Sequence, residues 1–478
     1  MLLENPRADE GISDFESRAM HDGRLWLHVH ASQRYKSTTV DLFLPTLLQP
    51  RRATGLALIA RLLERGTQAH PDLRALNRYT DWLYGANYFA ATQRFGAYQV
   101  LRLHLAAVDD RFLPQPESLG LQGAQLLSDV LLRPHAPQGV FGSAWVEQER
   151  LAHKKSIAAS MEDRSVRAQR RCIQIMCPNE PYRLSADGDA TEVDLFDGRQ
   201  LTELLASHTR QSVAHLYVCG DVDMAQAMQM SELFAWERAD NLESLADTGS
   251  ASQQHPQQVI EFGDASQGRL MIGHRGGIHL GHPEYPAFLL LNVILGGEMV
   301  GRLYRRVREL EGLCYHIASY IEPMAGFLFV EAGIEVANLD RVQQHIADEL
   351  TALGSAGPTD EELDNARLVI QHRLNAIADH RDALVHFDLQ RRLAQAQISR
   401  GRLASILSEV DADQIRNVAA QLRRDTTYLL APETAAEVVK AAGSARPTVV
   451  AAVPPAEDRL RLSRRRAATF DRTRSQSV

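Results

Sequence analysis

Apolar and polar positions along this chain follow two periods. Short stretches alternate residue by residue, as in Leu25-Trp26-Leu27-His28-Val29-His30 and Arg269-Leu270-Met271-Ile272-Gly273-His274. Period two predicts half-buried strands. Longer stretches repeat their apolar residues at helical spacing: Leu56 to Leu63, Ser118 to Leu132, Trp145 to Ser160, Leu339 to Leu353 and Asp360 to Ile377. Those predict amphipathic helices.

The order of these stretches recurs. Each half opens on a strand and follows with an apolar helix ending in glycine, at Gly66 and at Gly296-Gly297. A Tyr-containing strand entry comes next, Leu83-Tyr84-Gly85-Ala86 in one half and Gly312-Leu313-Cys314-Tyr315 in the other. Long helices follow, and each half closes on an apolar strand, at Ala214 to Gly220 and at Thr427 to Leu430. So long a repeat indicates a duplicated domain. Strands grouped around helical blocks predict an α+β fold, each half a mainly antiparallel sheet with helices packed on one face. The boundaries expected from composition are a lead at 1–23, a first domain at 24–236, a polar linker at 237–258, a second domain at 259–440 and a disordered basic tail at 441–478.

Bulk properties narrow the function classes. At 478 residues, more than one core is expected. A net charge of -8 argues against a nucleic-acid partner. No apolar run is long enough to span a bilayer, and the polar, acidic start of the chain carries no signal-peptide pattern, so a cytoplasmic location without membrane association is expected. Four cysteines, Cys172, Cys177, Cys219 and Cys314, form no C-x-x-C pair and read as free thiols inside apolar stretches. His28 and His30 share a face of what reads as an edge strand, and without a third ligand they read as structural. His274, His279 and His282 lie near glycine-rich turns and read as surface residues. Gly296-Gly297-Glu298 lacks the Lys-Ser/Thr of a phosphate loop.

The combination of the Gly66-Thr67 turn, Leu83-Tyr84-Gly85-Ala86, Leu291 to Gly297, Arg302-Leu303-Tyr304 with Val307-Arg308-Glu309, and Gly312 to Tyr315 resembles the pitrilysin/insulinase family of zinc metallopeptidases. The likeness runs over roughly residues 24–432 and points to the small-subunit branch that includes mitochondrial processing peptidase. In that family the helix before the Gly-Thr turn carries H-x-x-E-H, whose two histidines hold zinc and whose glutamate holds the attacking water. Here the corresponding positions are Ala57, Ala60 and Arg61. The family's third ligand ends an E-R-x-x-x-x-x-E pattern, and Glu149-Arg150 followed by Ser156 puts a serine there. No H-x-x-E-H occurs elsewhere in the chain. The resemblance therefore implies a degenerate site with no metal and no cofactor in this chain, zinc being expected in a partner.

The second half retains what the first has lost. In active members an arginine and a tyrosine seven residues apart bind the substrate carbonyl as it becomes an oxyanion. Arg308 and Tyr315 match that spacing, and each such donor is worth roughly 3 kcal/mol in a dry site. The resemblance implies a non-catalytic subunit of a heterodimeric metallopeptidase. It would enclose peptide substrate and supply Arg308 and Tyr315 to a homologous, zinc-bearing partner. The alternative is a non-enzymatic structural or peptide-binding scaffold. No nucleophile-base pair in the sequence supports a self-sufficient enzyme.

Overall fold

The computed structural model describes residues 14–236 and 256–436, and the backbone of Thr448–Val450. The first half supplies strands β1 (Glu16–Met20), β2 (Leu25–Ala31), β3 (Ser37–Leu47), β4 (Asn87–Phe95), β5 (Tyr98–Val108) and β6 (Ala214–Gly220). Its helices are α1 (Arg52–Leu63), α2 (Leu73–Trp82), α3 (Leu119–Leu132), α4 (Ser143–Glu162), α5 (Arg164–Met176), α6 (Gly198–Gln211) and α7 (Met224–Glu232). The second half supplies β7 (Gln257–Gly263), β8 (Gly268–Arg275), β9 (Cys314–Glu322), β10 (Phe327–Ile334), β11 (Arg423–Pro432) and β12 (Thr448–Val450). Its helices are α8 (Tyr285–Asn292), α9 (Leu339–Ala356), α10 (Asp360–Asp379), α11 (Arg381–Leu393), α12 (Arg400–Glu409) and α13 (Ala412–Gln421).

Each half forms a six-stranded sheet, in the order β1-β2-β6-β3-β5-β4 and β12-β7-β11-β8-β10-β9. From β2 and β7 onward the two orders coincide. Both have a parallel pair at the same place, β2 with β6 and β7 with β11. The outermost strands differ: β1 pairs antiparallel with β2, and β12 pairs parallel with β7. The α+β duplication expected from the sequence is present. One correspondence differs. Arg269 to His274 is β8, the counterpart of β3, while the counterpart of β2 is β7. Alternation marks a strand but not its place in a sheet. The strand β1 lies inside the stretch read as a lead, β7 begins inside the stretch read as linker, and β12 falls within the stretch read as a tail. Most of the linker and the basic end of the chain lie outside the described residues.

Period-two alternation divides each sheet between two cores. On β3 and β6, Val40, Leu42, Leu44, Leu216 and Val218 join the half's own helices, while Phe43, Tyr217 and Cys219 point the other way. That second face is covered by α11, a helix of the other half, through Leu384, Val385, Leu389 and Leu393. The exchange is reciprocal. Helix α5 of the first half lays Ala168, Cys172 and Met176 on Met271, Phe327, Phe329 and Tyr428 of the second sheet. Both visiting helices carry an i, i+4, i+8 stripe, the pattern that buries one helix face.

Buried polar contacts pin both faces. Asp388 of α11 accepts the Tyr217 hydroxyl across the contact at 2.7 Å and, within its own helix, Arg391 Nε at 2.7 Å and Arg392 Nε at 2.6 Å. Burial alone would raise its carboxyl, yet Arg392 and Arg391 hold it below the ordinary range. In the other half, Arg275 donates to Asp425 at 2.8 Å and to Glu180, just past α5, at 2.6 Å.

Two histidine expectations change. The residue His28 is not on an edge, because β1 pairs outside β2; it is fully buried and its Nε2 lies 3.1 Å from His215 Nδ1. His274 is not on the surface, since β8 is an interior strand and buries it. His279 and His282 are half-exposed, with ring centroids 6.1 Å apart. The four cysteines are free, and burial pushes the Cys177 thiol up to about 12 and that of Cys314 to about 11.

Two outcomes follow from this packing. Asp388→Asn removes one charge between two guanidiniums at a buried contact and should cost about 3 kcal/mol, read as the shift in urea midpoint. Burial lowers His208 and His215 to about 3 and His274 to about 4. Their folded values lie below the unfolded 6.5, so the unfolded chain takes up more protons as pH falls. Stability is complete above pH 6.5 and declines below it, each group costing about 1.4 kcal/mol per pH unit until its folded value is reached. Urea midpoints at about pH 7 and about pH 5 should differ accordingly; equal midpoints would refute the buried neutral assignment.

Candidate functional site

Helix α1 is a run of Ala, Leu and Ile with strong helical preference, and Leu56, Leu58, Ile59, Leu62 and Leu63 are each at most 2% exposed. It ends at Glu64, its C-cap, and the chain then turns through Gly66 at φ 146°, where a Cβ would lie 2.5 Å from His70 O. Only glycine fits that turn. The geometry fixes which α1 side chains face α4. Ala57 and Ala60 are buried methyls. Arg61 donates from Nε to Glu149 Oε2 at 2.7 Å, and Arg65 donates from Nε to Glu149 Oε1 at 2.6 Å. Glu149 is almost fully buried on α4, with His153 one turn on and also buried. Burial lowers His153, which stays neutral and faces the backbone carbonyl of Asp187 at 2.8 Å. Ser156, two turns past Glu149, is exposed.

These residues do not fit a zinc ion. Zinc sites use imidazole, thiolate or carboxylate donors. Here two positions are methyls, one is a cation and one is an exposed hydroxyl. The carboxylate nearby, Glu149, has both oxygens engaged by guanidiniums. The positive charge between α1 and α4 is covalent, carried by Arg61 and Arg65.

Arg308 and Tyr315 stand together in the second half. Arg308 lies in a π-helical segment, Tyr304–Leu310, and Tyr315 is the second residue of β9, the end strand of its sheet. The guanidinium carbon sits 4.7 Å from the Tyr304 ring centroid and 5.9 Å from that of Tyr315. Tyr304 was not singled out from the sequence, although its i, i+4 relation to Arg308 is the spacing at which helix side chains meet. A guanidinium stacked on aromatic faces keeps its N–H edge free for an acceptor. The surroundings are open: Tyr315 is 77% exposed, and Met299, Val300 and Leu310 are exposed as well. A second π-helical segment, Val293–Gly297, precedes this patch, and its last residue is tied down by Arg373, which donates to Gly297 O at 3.0 Å.

The sequence and fold were compared with known proteins. Residues 196–369 match the family model for the peptidase M16 inactive domain. The chain is 29% identical over 415 residues to "Probable inactive metalloprotease YmfF" of Bacillus subtilis, covering 87% of this chain and 97% of that protein. It is 30% identical over 115 residues to "Uncharacterized zinc protease YmxG" of the same organism, covering 24% of this chain and 28% of that one. Among solved structures, a conserved protein from Enterococcus faecalis superposes with a TM-score of 0.81 at 20% identity, covering 88% of this chain and 99% of that chain. A peptidase M16 inactive domain from Pseudomonas fluorescens superposes with a TM-score of 0.69 at 18% identity, covering 92% and 100%. Among the described residues no helix is long and apolar enough to cross a membrane.

The ion-paired site carries its own test. Glu149→Gln leaves two guanidiniums facing a neutral amide and should cost about 2 kcal/mol, less than a fully buried pair because Arg61 and Arg65 reach solvent. Thermal melts of the variant and of the parent chain measure it; an unchanged midpoint would show that the three charges are not coupled. The chain is thus similar to the M16 peptidases through their inactive domain and, over most of its length, to a relative named as a probable inactive metalloprotease.

Proposed function

We propose that this chain is the non-catalytic subunit of a two-chain zinc metallopeptidase, in the branch that resembles mitochondrial processing peptidase. A homologous partner supplies zinc, the two chains enclose a peptide, and Arg308 and Tyr315 of this chain bind the peptide carbonyl at the partner's metal. One observation carries the reading. The position the resemblance assigns to metal in the first half is filled by an Arg61-Glu149-Arg65 ion cluster, while in the second half a half-buried Arg308 lies beside an exposed Tyr315. A scaffold has no need of mutually oriented oxyanion donors. Peptide would be held in extended form against an end strand of a sheet, where main-chain groups are available for pairing.

The test is bound zinc and cleavage of a quenched fluorescent peptide, for the chain alone and for the chain mixed with its zinc-site relative. The expected outcome is neither zinc nor cleavage alone, and cleavage in the mixture. In the mixture, Arg308→Ala with Tyr315→Phe should lower kcat about 100-fold while KM changes little. Unchanged kcat would remove the role in trans and leave the scaffold reading.

A further inference from the structure

The first sheet ends at β4, and among the described residues no strand pairs with its outer side. An end strand presents alternate N–H and C=O groups outward. Which groups face out is fixed by one contact: the Ala90 N–H donates to Glu64 Oε1 at 3.1 Å. Ala90 sits opposite Leu103 of β5, so this pair does not exchange hydrogen bonds, and by period two the outward amides are those of Tyr88, Ala90, Thr92 and Arg94. Ala90 lies near the middle of that row. Glu64 therefore occupies the amide that an added strand needs.

We propose that Glu64 is a displaceable cap on the outer edge of β4, seated on the Ala90 amide in the free chain and released to Arg61 when an extended peptide takes that amide. The inference rests on the peptide-enclosing reading above and assigns the edge and its control. The cap is built for two positions. Glu64 is the C-cap of α1, half-buried where the helix ends. Arg61 lies one turn earlier on the same helix, the distance at which i and i+3 side chains meet. Glu149 engages Arg61 through Nε alone, and the rest of the fork has no hydrogen-bond partner among the described residues. A carboxylate leaving Ala90 therefore finds a guanidinium edge within reach. Burial raises the Glu64 carboxyl, with the Ala90 amide and Arg61 opposing that rise, so both seats stabilise its ionised form. Tyr88, whose hydroxyl donates to Leu63 O at 3.2 Å, ties β4 to the end of α1 and keeps strand and cap in register. A peptide strand exchanges one hydrogen bond for a ladder of them, and Glu64 exchanges its amide for an ion pair.

Two variants separate the cap from a general loosening of the helix end. Glu64→Ala removes the cap. Glu64→Gln keeps an oxygen on the Ala90 amide but removes the attraction to Arg61. The probe is a fluorescein-labelled, end-capped octapeptide of alternating Thr and Val, with affinity read by anisotropy and the Ala90 amide followed by hydrogen exchange. The expected result is that Glu64→Ala binds about tenfold more tightly than the parent chain, and Glu64→Gln no more tightly. Without peptide the Ala90 amide should exchange quickly in Glu64→Ala alone, and peptide should protect it in all three proteins. Equal affinity of the parent chain and Glu64→Ala, with Ala90 protected by peptide, would overturn the cap and leave the edge as a binding site. Equal tightening by both variants would also overturn it. Absence of binding to all three, with Ala90 unprotected, would overturn the peptide-enclosing reading itself.

Discussion

Everything else in this fold depends on the exchange of one helix between the two halves. A sheet has two faces, and the helices of its own half cover only one. Left alone, each half would expose Phe43, Tyr217 and Cys219, or Met271, Phe329 and Tyr428, to water. Helices α11 and α5 close those faces reciprocally, so neither core is complete without the other half. Apolar burial drives the contact, and buried polar contacts fix its register. Asp388, ion-paired within α11 to Arg391 and Arg392, accepts the Tyr217 hydroxyl at 2.7 Å in one seating of the helix only. At the other face Glu180, just past α5, meets Arg275 at 2.6 Å, and a slide of α5 would part that buried pair at a cost of several kcal/mol. The end strands and the half-buried Arg308 are thereby held on one frame.

That frame explains how a metal centre can be absent without the fold failing. Glu149 is nearly inaccessible between α1 and α4 and would be costly as an isolated anion. A metal would balance such a carboxylate; here Arg61 and Arg65 do. A cation on a side chain cannot be lost to dilution or chelation, and it activates no water. Packing between the helices is kept without a metal. A site that had merely decayed would leave Glu149 buried and unpaired.

Much of this was legible in the sequence because it is written locally. Alternation and helical spacing reveal the duplicated order of elements. The residues Ala57, Ala60 and Arg61 on one helix, with Glu149 and Ser156 on another, are the positions at which the resemblance expects ligands, and the structure does place the two helices together. The spacing of Arg308 and Tyr315 predicts a helix end followed by a strand, and the two rings and guanidinium do meet. What could not be read depends on long-range geometry. The stripes of α5 and α11 show that each buries a face, but not that the face belongs to the other half. Arg61 reads as a lost ligand, and its ion pair with Glu149 needs the third dimension. His274 reads as a turn residue until β8 is known to lie inside its sheet.

The duplication also lets the two halves diverge where their counterparts occupy equivalent places. Strands β4 and β9 end their sheets in the same position, and each runs beside the end of the helix that precedes it. On β4 the outward amide at Ala90 is met by a charged side chain, Glu64. On β9 the neighbouring helix end is Gly296, where a Cβ would come within 3.3 Å of Ser319 N, so backbone lies close against backbone. A side chain can rotate away from an amide, whereas a packed helix end moves only with its helix. The two related sheets thus end on different contacts, a charged side chain at β4 and a close-packed glycine at β9.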